Sequence, residues 1–270
     1  MTAFTDLDDL VNKSTGGASG TPETVFGWKM NILDGATAAP TRQTFGMYDM
    51  WRNRGVPNFG TVPGTVAAPT KATAGAIQGI TNAGGTREKF ITEFAFTAEP
   101  KAGLLLYDRL LHIGGLDGTV LTAQTVGGTI TRNTGGEGNQ IWVIHYGNTA
   151  SSAVGVTASY TNQDGTGSRT TASVDVRASN AEDFIVGLPL QAGDTGVQSV
   201  QSITFASSAT STTEWGVVIA QPLLFVALQD TTSMLKGPYP AIEDDACLAL
   251  ASLDGYEDSP YNFGITLVES

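Results

Sequence analysis

Imidazole chemistry in this chain would have to run through His112 or His145, the two histidines among 270 residues. His112 stands close to Asp108 and Arg109, so Asp108 could orient its ring as a general base. A serine hydrolase would also need its nucleophile in a G-x-S-x-G turn, and no such turn accompanies His112. His145 sits between Ile144 and Tyr146 in an apolar run, the setting of a packed core or interface histidine. Glu243-Asp244-Asp245 and the Asp254–Asp258 stretch offer oxygen ligands suited to calcium. Neither follows the D-x-[DN]-x-[DN]-G-x5-E spacing of an EF-hand loop, so solvated acidic faces are expected. Gly135–Gly138 (GGEG) lacks the lysine and following helix of a phosphate loop. A single cysteine, Cys247, excludes an intrachain disulfide and a cysteine-rich zinc site, and reads as a small buried hydrophobe. No catalytic residue, metal ligand or cofactor site is assigned, and the expectation is a protein that is not an enzyme.

Three tryptophans, Trp51, Trp142 and Trp215, could stack against sugar rings. Trp142 and Trp215 fall inside strand-like segments, where core packing is their expected work. Trp51 lies in an irregular region and is the better contact candidate. With it we group Phe4, Leu7, Met47, Arg52 and Arg54 as expected partner-contact residues.

Composition narrows the class. Apolar residues make up 41%, which suits a folded core, whereas charged residues at 15% fall well below the usual quarter. Thr, Ser, Gly and Ala fill the surface instead, as in β-rich folds with many turns. A surface poor in fixed charge also suits extensive contact with neighbouring protein. The net charge of −12 argues against binding nucleic-acid phosphates. The N-terminus shows no basic and apolar leader, and no apolar stretch approaches about 18 residues. A soluble protein made in the cytoplasm, with no membrane partner, is expected.

Alternation and turn residues supply the elements. Thr2–Lys13 carries acidic residues in a first turn and an apolar stripe (Phe4, Leu7, Leu10, Val11), predicting a short N-terminal helix. Val25–Leu33 predicts a strand, and Phe45–Arg52 one or two helical turns. Residues 14 to 85 otherwise read as long extended arms laid over the core. Strands are predicted at Phe90–Phe96, Thr119–Thr131, Ile141–Tyr146, Val154–Tyr160, Thr170–Val176, Phe184–Leu190, Val197–Phe205 and Trp215–Phe225. Gly103–Ile113 (GLLLYDRLLHI) fits helix or strand by periodicity, and its β surroundings favour a strand with a bend. The stretch Gln140–Val176, strand, turn, strand, turn, strand, reads as the centre of the fold. About eight strands predict an all-β, antiparallel β-sandwich of jelly-roll type. Three regions are expected: residues 1–88 as helix and arm, 89–228 as sandwich core, and 229–270 as a C-terminal extension packing on the core.

LLLYDRLLHIGGLDGTVLTAQT, GEGNQIWVIHYGNTASSAVGVTASYTNQDGTGSRTT and LPLQAGDTGVQSVQSITF, within Phe90–Phe225, resemble a group of tailed-bacteriophage virion structural proteins. The resemblance covers about half the chain and implies a capsid-associated β-sandwich, with no catalytic residue. It implies a head decoration or cement protein that contacts the major capsid protein. A homo-oligomer is expected, a trimer because shells offer threefold positions. The other readings are a carbohydrate-binding β-sandwich of a fibre or surface protein, and a tail or major shell component. The lack of a long amphipathic helix counts against the major shell protein.

Overall fold

A computed structural model describes residues 22–31, 47–52, 54–56, 60–81, 88–98, 103–146, 153–177, 183–208, 215–227, 232–236, 241–253 and 259–269. Their regular elements are strands, 17 of them, and no described helix is long and apolar enough to cross a membrane. The predicted N-terminal helix at Thr2–Lys13 lies outside the described residues.

Six strands close a barrel: β2 (Met47–Asp49), β5 (Gly103–Leu116), β7 (Gln140–His145), β11 (Phe184–Leu188), β13 (Trp215–Ala227) and β16 (Leu248–Leu253). Their order around the barrel is β11-β2-β16-β5-β13-β7, and every neighbouring pair is antiparallel. A six-stranded sheet holds β1 (Glu23–Asn31), β3 (Arg54–Val56), β4 (Lys89–Ala98), β14 (Thr232–Lys236), β15 (Ala241–Ile242) and β17 (Ser259–Glu269). A five-stranded sheet holds β6 (Gln124–Thr125), β8 (Ala153–Asn162), β9 (Arg169–Thr170), β10 (Val174–Arg177) and β12 (Val197–Phe205). The all-β expectation holds. The described strands nevertheless form a closed barrel with two flanking sheets, where two facing sheets of a jelly roll were expected.

Alternation along the barrel strands explains three separate cores. On β13, Val217 and Ile219 face the five-stranded sheet, meeting Val156, Tyr160, Val200 and Ile203. Val218 and Ala220 point the other way, into the barrel, beside Trp142, Ile144 and Ala249. Further along, Leu224 and Val226 meet Phe94, Phe96, Phe263 and Ile265 of the six-stranded sheet. A strand buried on both faces needs apolar residues at consecutive positions, which erases the period-2 signal. This is why Gly103–Ile113 looked ambiguous, and the strand reading is the one observed. Its bend is a bulge: Ala220 pairs with Arg109 and Ile219 with Leu111, leaving Leu110 extra. The extra residue puts Leu110 and Leu111 together against the five-stranded sheet, and returns His112 to the barrel interior. On β13 the register shifts again at Pro222, whose missing N–H cannot join a regular ladder.

Several predicted elements change. Of the predicted helical segment Phe45–Arg52, the described residues 47–52 form no helical turn; Met47–Asp49 is a strand that bridges β11 and β16 and thereby closes the barrel. Thr119–Thr131 shrinks to the two residues of β6: before it the Thr119 and Val120 N–H groups turn back onto Asp117, and after it Gly127 and Gly128 take positive φ. The central stretch Gln140–Val176 divides, since β7 belongs to the barrel and β8 pairs with β9, β10 and β12. Of the expected arms, residues 60–77 lie on the chain's own barrel, and Ile80 and Thr81 reach the six-stranded sheet. Ala67 forms a bridge with His112, Gly114 N–H donates to Pro63 O, and Ile77 N–H donates to Leu248 O. Ala76 and Ile77 are fully buried there.

Candidate functional site

Two charges inside an apolar run mark the site. Along LLLYDRLL, strand alternation sends Tyr107 and Arg109 into the barrel and Asp108 to its outside. A buried charge must find a partner of opposite sign with its hydrogen bonds satisfied. Arg109 finds Asp49 at the end of β2, with Nη1 2.8 Å from Oδ2 and both side chains at 0% exposure. Tyr107 links them: its hydroxyl donates to Asp49 Oδ1 at 2.7 Å and accepts from Arg109 Nη1 at 2.6 Å. The guanidinium also lies over the Trp51 ring, 4.5 Å from its centroid, an arrangement of cation–π type.

His112 and Tyr146 extend the cluster. Arg109 can only donate, and its Nη2 lies 3.3 Å from His112 Nε2. Nε2 is therefore assigned as the unprotonated nitrogen, accepting from the Tyr146 hydroxyl at 2.6 Å. Burial, and then the Arg109 charge, hold His112 well below its ordinary pKa, so the ring is neutral. Burial likewise raises both tyrosines, Tyr107 and Tyr146, well above 10. Burial works against the Arg109 charge, but Asp49 reverses that effect and the net shift is upward. Among the described residues Arg109 Nε is the atom of this cluster with no hydrogen-bond partner.

Two further ionic clusters lie outside the barrel interior, one on β5 and one at the five-stranded sheet. Arg132 grips Asp108 in a two-pronged pair, Nε to Oδ2 and Nη2 to Oδ1 at 2.9 Å each. Asp108 Oδ1 also accepts from the Cys247 N–H at 2.8 Å, tying β5 to the residue before β16. Asp194 accepts from Tyr160, Asn162 and Arg169, at 2.6, 2.8 and 2.8–2.9 Å, where the connection from β11 to β12 meets β8 and β9. The Arg169 hydrogen bonds, chiefly, hold the Asp194 carboxyl below the usual carboxylate range. Cys247 is fully buried and its thiol is pushed up to about 12, by burial first, which leaves it unreactive.

The structure brings together residues that the sequence reading kept apart. Asp108 does not orient His112: its carboxylate faces Arg132, while His112 faces Tyr146 across the barrel. His145 is buried beside the Trp215 ring, 4.4 Å away, as its apolar surroundings implied. Trp51 overturns its expectation of surface contact. It is 1% exposed, its Nε1–H donates to Thr61 O at 3.0 Å, and its indole roofs Arg109. A Cβ on Gly60 would fall 2.1 Å from Trp51 Nε1, so the chain can cross the indole there only as glycine. Trp142 and Trp215 are buried as well, so none of these three indoles can serve as a sugar platform. Arg52 is a brace between loops, donating to Asp183 Oδ1 at 2.7 Å and Tyr146 O at 2.9 Å, with 26% of its side chain exposed. Met47 is half-buried against the barrel interior. Arg54 starts β3, opposite Met30, and Phe4 and Leu7 lie outside the described residues. Asp49, Tyr107 and Tyr146 went unremarked, although charges inside an apolar run (Asp108 and Arg109) signal that buried partners must exist elsewhere.

The described residues thus define an all-β protein organised on a closed barrel with an ionic centre. No family model matches the chain, and no curated protein matches it. Among solved structures it is similar to VP2 in a subviral particle of infectious bursal disease virus, at 8% identity and a TM-score of 0.20. That alignment covers 93% of this chain and 81% of VP2. VP1 of Merkel cell polyomavirus, in complex with GD1a oligosaccharide, aligns over 94% of this chain and 96% of its own, at 11% identity and a TM-score of 0.15. TM-scores this low establish neither a shared fold nor a shared activity.

Proposed function

We propose that this chain is a structural component of a bacteriophage virion, a head decoration or cement protein that reinforces the shell. It works through contacts with the major capsid protein and with copies of itself. The carrying observation is where the strongest polar groups are spent. Asp49, Tyr107, Arg109, His112 and Tyr146 are sealed at 0–1% exposure and bond to one another, and the cluster joins β2, β5 and the end of β7. That is an investment in a rigid body. The composition supports the same reading, because 15% charged residues leave a surface of small polar and apolar groups that is cheap to dry against protein. The resemblance of Phe90–Phe225 to tailed-phage structural proteins points the same way and supplies the choice of particle.

Mass spectrometry of purified particles tests the proposal. Peptides of this chain should appear at a copy number comparable with that of the major shell protein. Absence from the particle, or only a few copies, would overturn the decoration role.

A further inference from the structure

The outer face of the six-stranded sheet carries a furrow of 230 Å³, lined by Thr24 and Phe26 on β1, Ala95 and Thr97 on β4, and Gly264 and Thr266 on β17. Phe26 is 75% exposed, the most exposed large hydrophobic side chain among the described residues. Its ring lies against Gly264, where a Cβ would be 3.0 Å away, and that contact leaves most of the ring in water. The polar groups beside it bond along the sheet. Thr24 Oγ1 and Thr266 Oγ1 are 3.2 Å apart, and Asn262 Nδ2 donates to Thr97 Oγ1 at 3.3 Å. Covering this face therefore leaves few polar groups unsatisfied. The furrow crosses three strands and five residues along β4 and β17, roughly 14 Å by 16 Å at about 4.8 Å per strand and 3.3 Å per residue. That is small for a globular partner and the footprint of a single helix, about 10 Å wide.

We infer that this furrow is the docking site of the chain's own N-terminal segment, Thr2–Lys13, which lies outside the described residues. The inference goes beyond the proposed function and does not depend on it. Position carries it. The first described residue is Pro22, β1 starts at Glu23, and Thr24 and Phe26 already line the furrow. The segment is thus attached at the furrow's own end. Its tether, Ser14–Pro22 (STGGASGTP), spans up to about 30 Å when extended, about twice the length of the furrow. A tether this short holds the segment at an effective concentration on the order of mM, so a small apolar contact suffices. Size agrees, because the helix that the sequence predicts over Thr2–Lys13 is about 18 Å long. Chemistry agrees as well. At about 100° per residue Phe4, Leu7, Leu10 and Val11 form one stripe, with Asp8 at its margin and Asp6, Asp9 and Lys13 on the other side. With the stripe in the furrow these charges stay in water, away from Glu93, the carboxylate among the furrow residues, which the register sets opposite Lys236.

Thiol labelling of the full chain tests this. Cys247 is the one native cysteine and is buried, so Ala95→Cys introduces the reactive thiol of the folded protein, in the middle of the furrow. A maleimide should modify it slower by about tenfold or more than the same thiol in a chain that also carries Leu7→Asp and Leu10→Asp, which break the stripe. Val120→Cys, exposed on the connection from β5 to β6, should react equally fast with and without those two changes. Cys247 should stay unmodified throughout, which reports a folded barrel. If Ala95→Cys fails to fold, Thr97→Cys takes its place. Protection should be the same at every protein concentration, because the tether is intramolecular. Equal rates with and without the aspartates overturn the inference, both fast for an uncovered furrow and both slow for a different occupant. Protection that grows with protein concentration overturns it too, since the segment would then come from a second copy.

Discussion

Arg109 is held by Asp49, Tyr107 and the Trp51 ring, so its removal strands a carboxylate in a dry barrel. Truncating one member of a buried ion pair costs about 3–5 kcal/mol, whereas replacing both with apolar groups of similar volume is often neutral. Arg109→Met should therefore lose about 3–5 kcal/mol in a urea titration, and Asp49→Leu combined with it should recover most of that. A double variant no better than the single would show that Asp49 is not what the missing guanidinium leaves exposed. The second histidine brings a pH dependence. Burial, and then the Arg52 charge, lower His145 from 6.5 to about 4. As pH falls the unfolded chain takes up the proton first, so this contribution is complete above about pH 6.5 and declines until the folded ring titrates near 4. At about 1.4 kcal/mol per pH unit the loss is on the order of 3 kcal/mol. His145→Gln should flatten the slope of stability against pH in that window, and an unchanged slope would remove His145 as its source.

Close backbone approaches set the geometry of whole elements. The loop before β7 meets the start of β12 at Gly196, where a Cβ would lie 1.9 Å from Gly136 O. Backbone on both sides cannot rotate away, so Gly196→Ala should cost about 1–3 kcal/mol through overpacking. Equilibrium denaturation checks this, with Gly193→Ala and Gly64→Ala as references, since neither Cβ has a neighbour within 4 Å. Only the second reference is free of backbone strain, because Gly193 sits at φ 92°. Strand stability should also be graded. Trp215–Ala220 of β13 and Gly103–Asp108 of β5 are paired on both sides and buried on both faces, so their amides should exchange most slowly. Exchange at β13 as fast as at the short β6 would contradict a barrel-centred core.

At the scale of the molecule, the three cores share walls. β5 contributes Leu104 and Leu106 to one, Leu105 and Tyr107 to the second, Leu110 and Ile113 to the third. A perturbation in any of them reaches the barrel, so the described body should unfold as one cooperative unit. Leu106→Ala, facing the six-stranded sheet, should lower the midpoint of a single transition by the equivalent of about 2–5 kcal/mol. Its failure mode is visible: a biphasic curve, with tryptophan fluorescence and circular dichroism no longer coincident, would mean that the six-stranded sheet unfolds alone. The same connectivity explains why the C-terminal residues are integral. β16 is a barrel stave and β17 lies between β1 and β4 in its sheet.

Locally encoded features were legible from the residues alone. Alternation and turn chemistry marked β4, β7, β8, β11, β12 and β13 within a few residues, and a low charge content marked an all-β protein. The apolar run at Gly103–Ile113 is a strand because its neighbours bury both faces, a fact that no property of the run itself contains. Met47–Asp49 could not be recognised as the closing stave, since its pairing partners lie more than a hundred residues away in β11 and β16. Trp51 went from expected contact to buried roof for the same reason: residue type states that an indole is large, and only packing states what covers it. The sequence alone determined which residues alternate, which turns must be glycine and which charges would need partners. Tertiary structure decided which partner each charge met and which face stayed open, because burial and pairing are relations between distant segments rather than properties of either one.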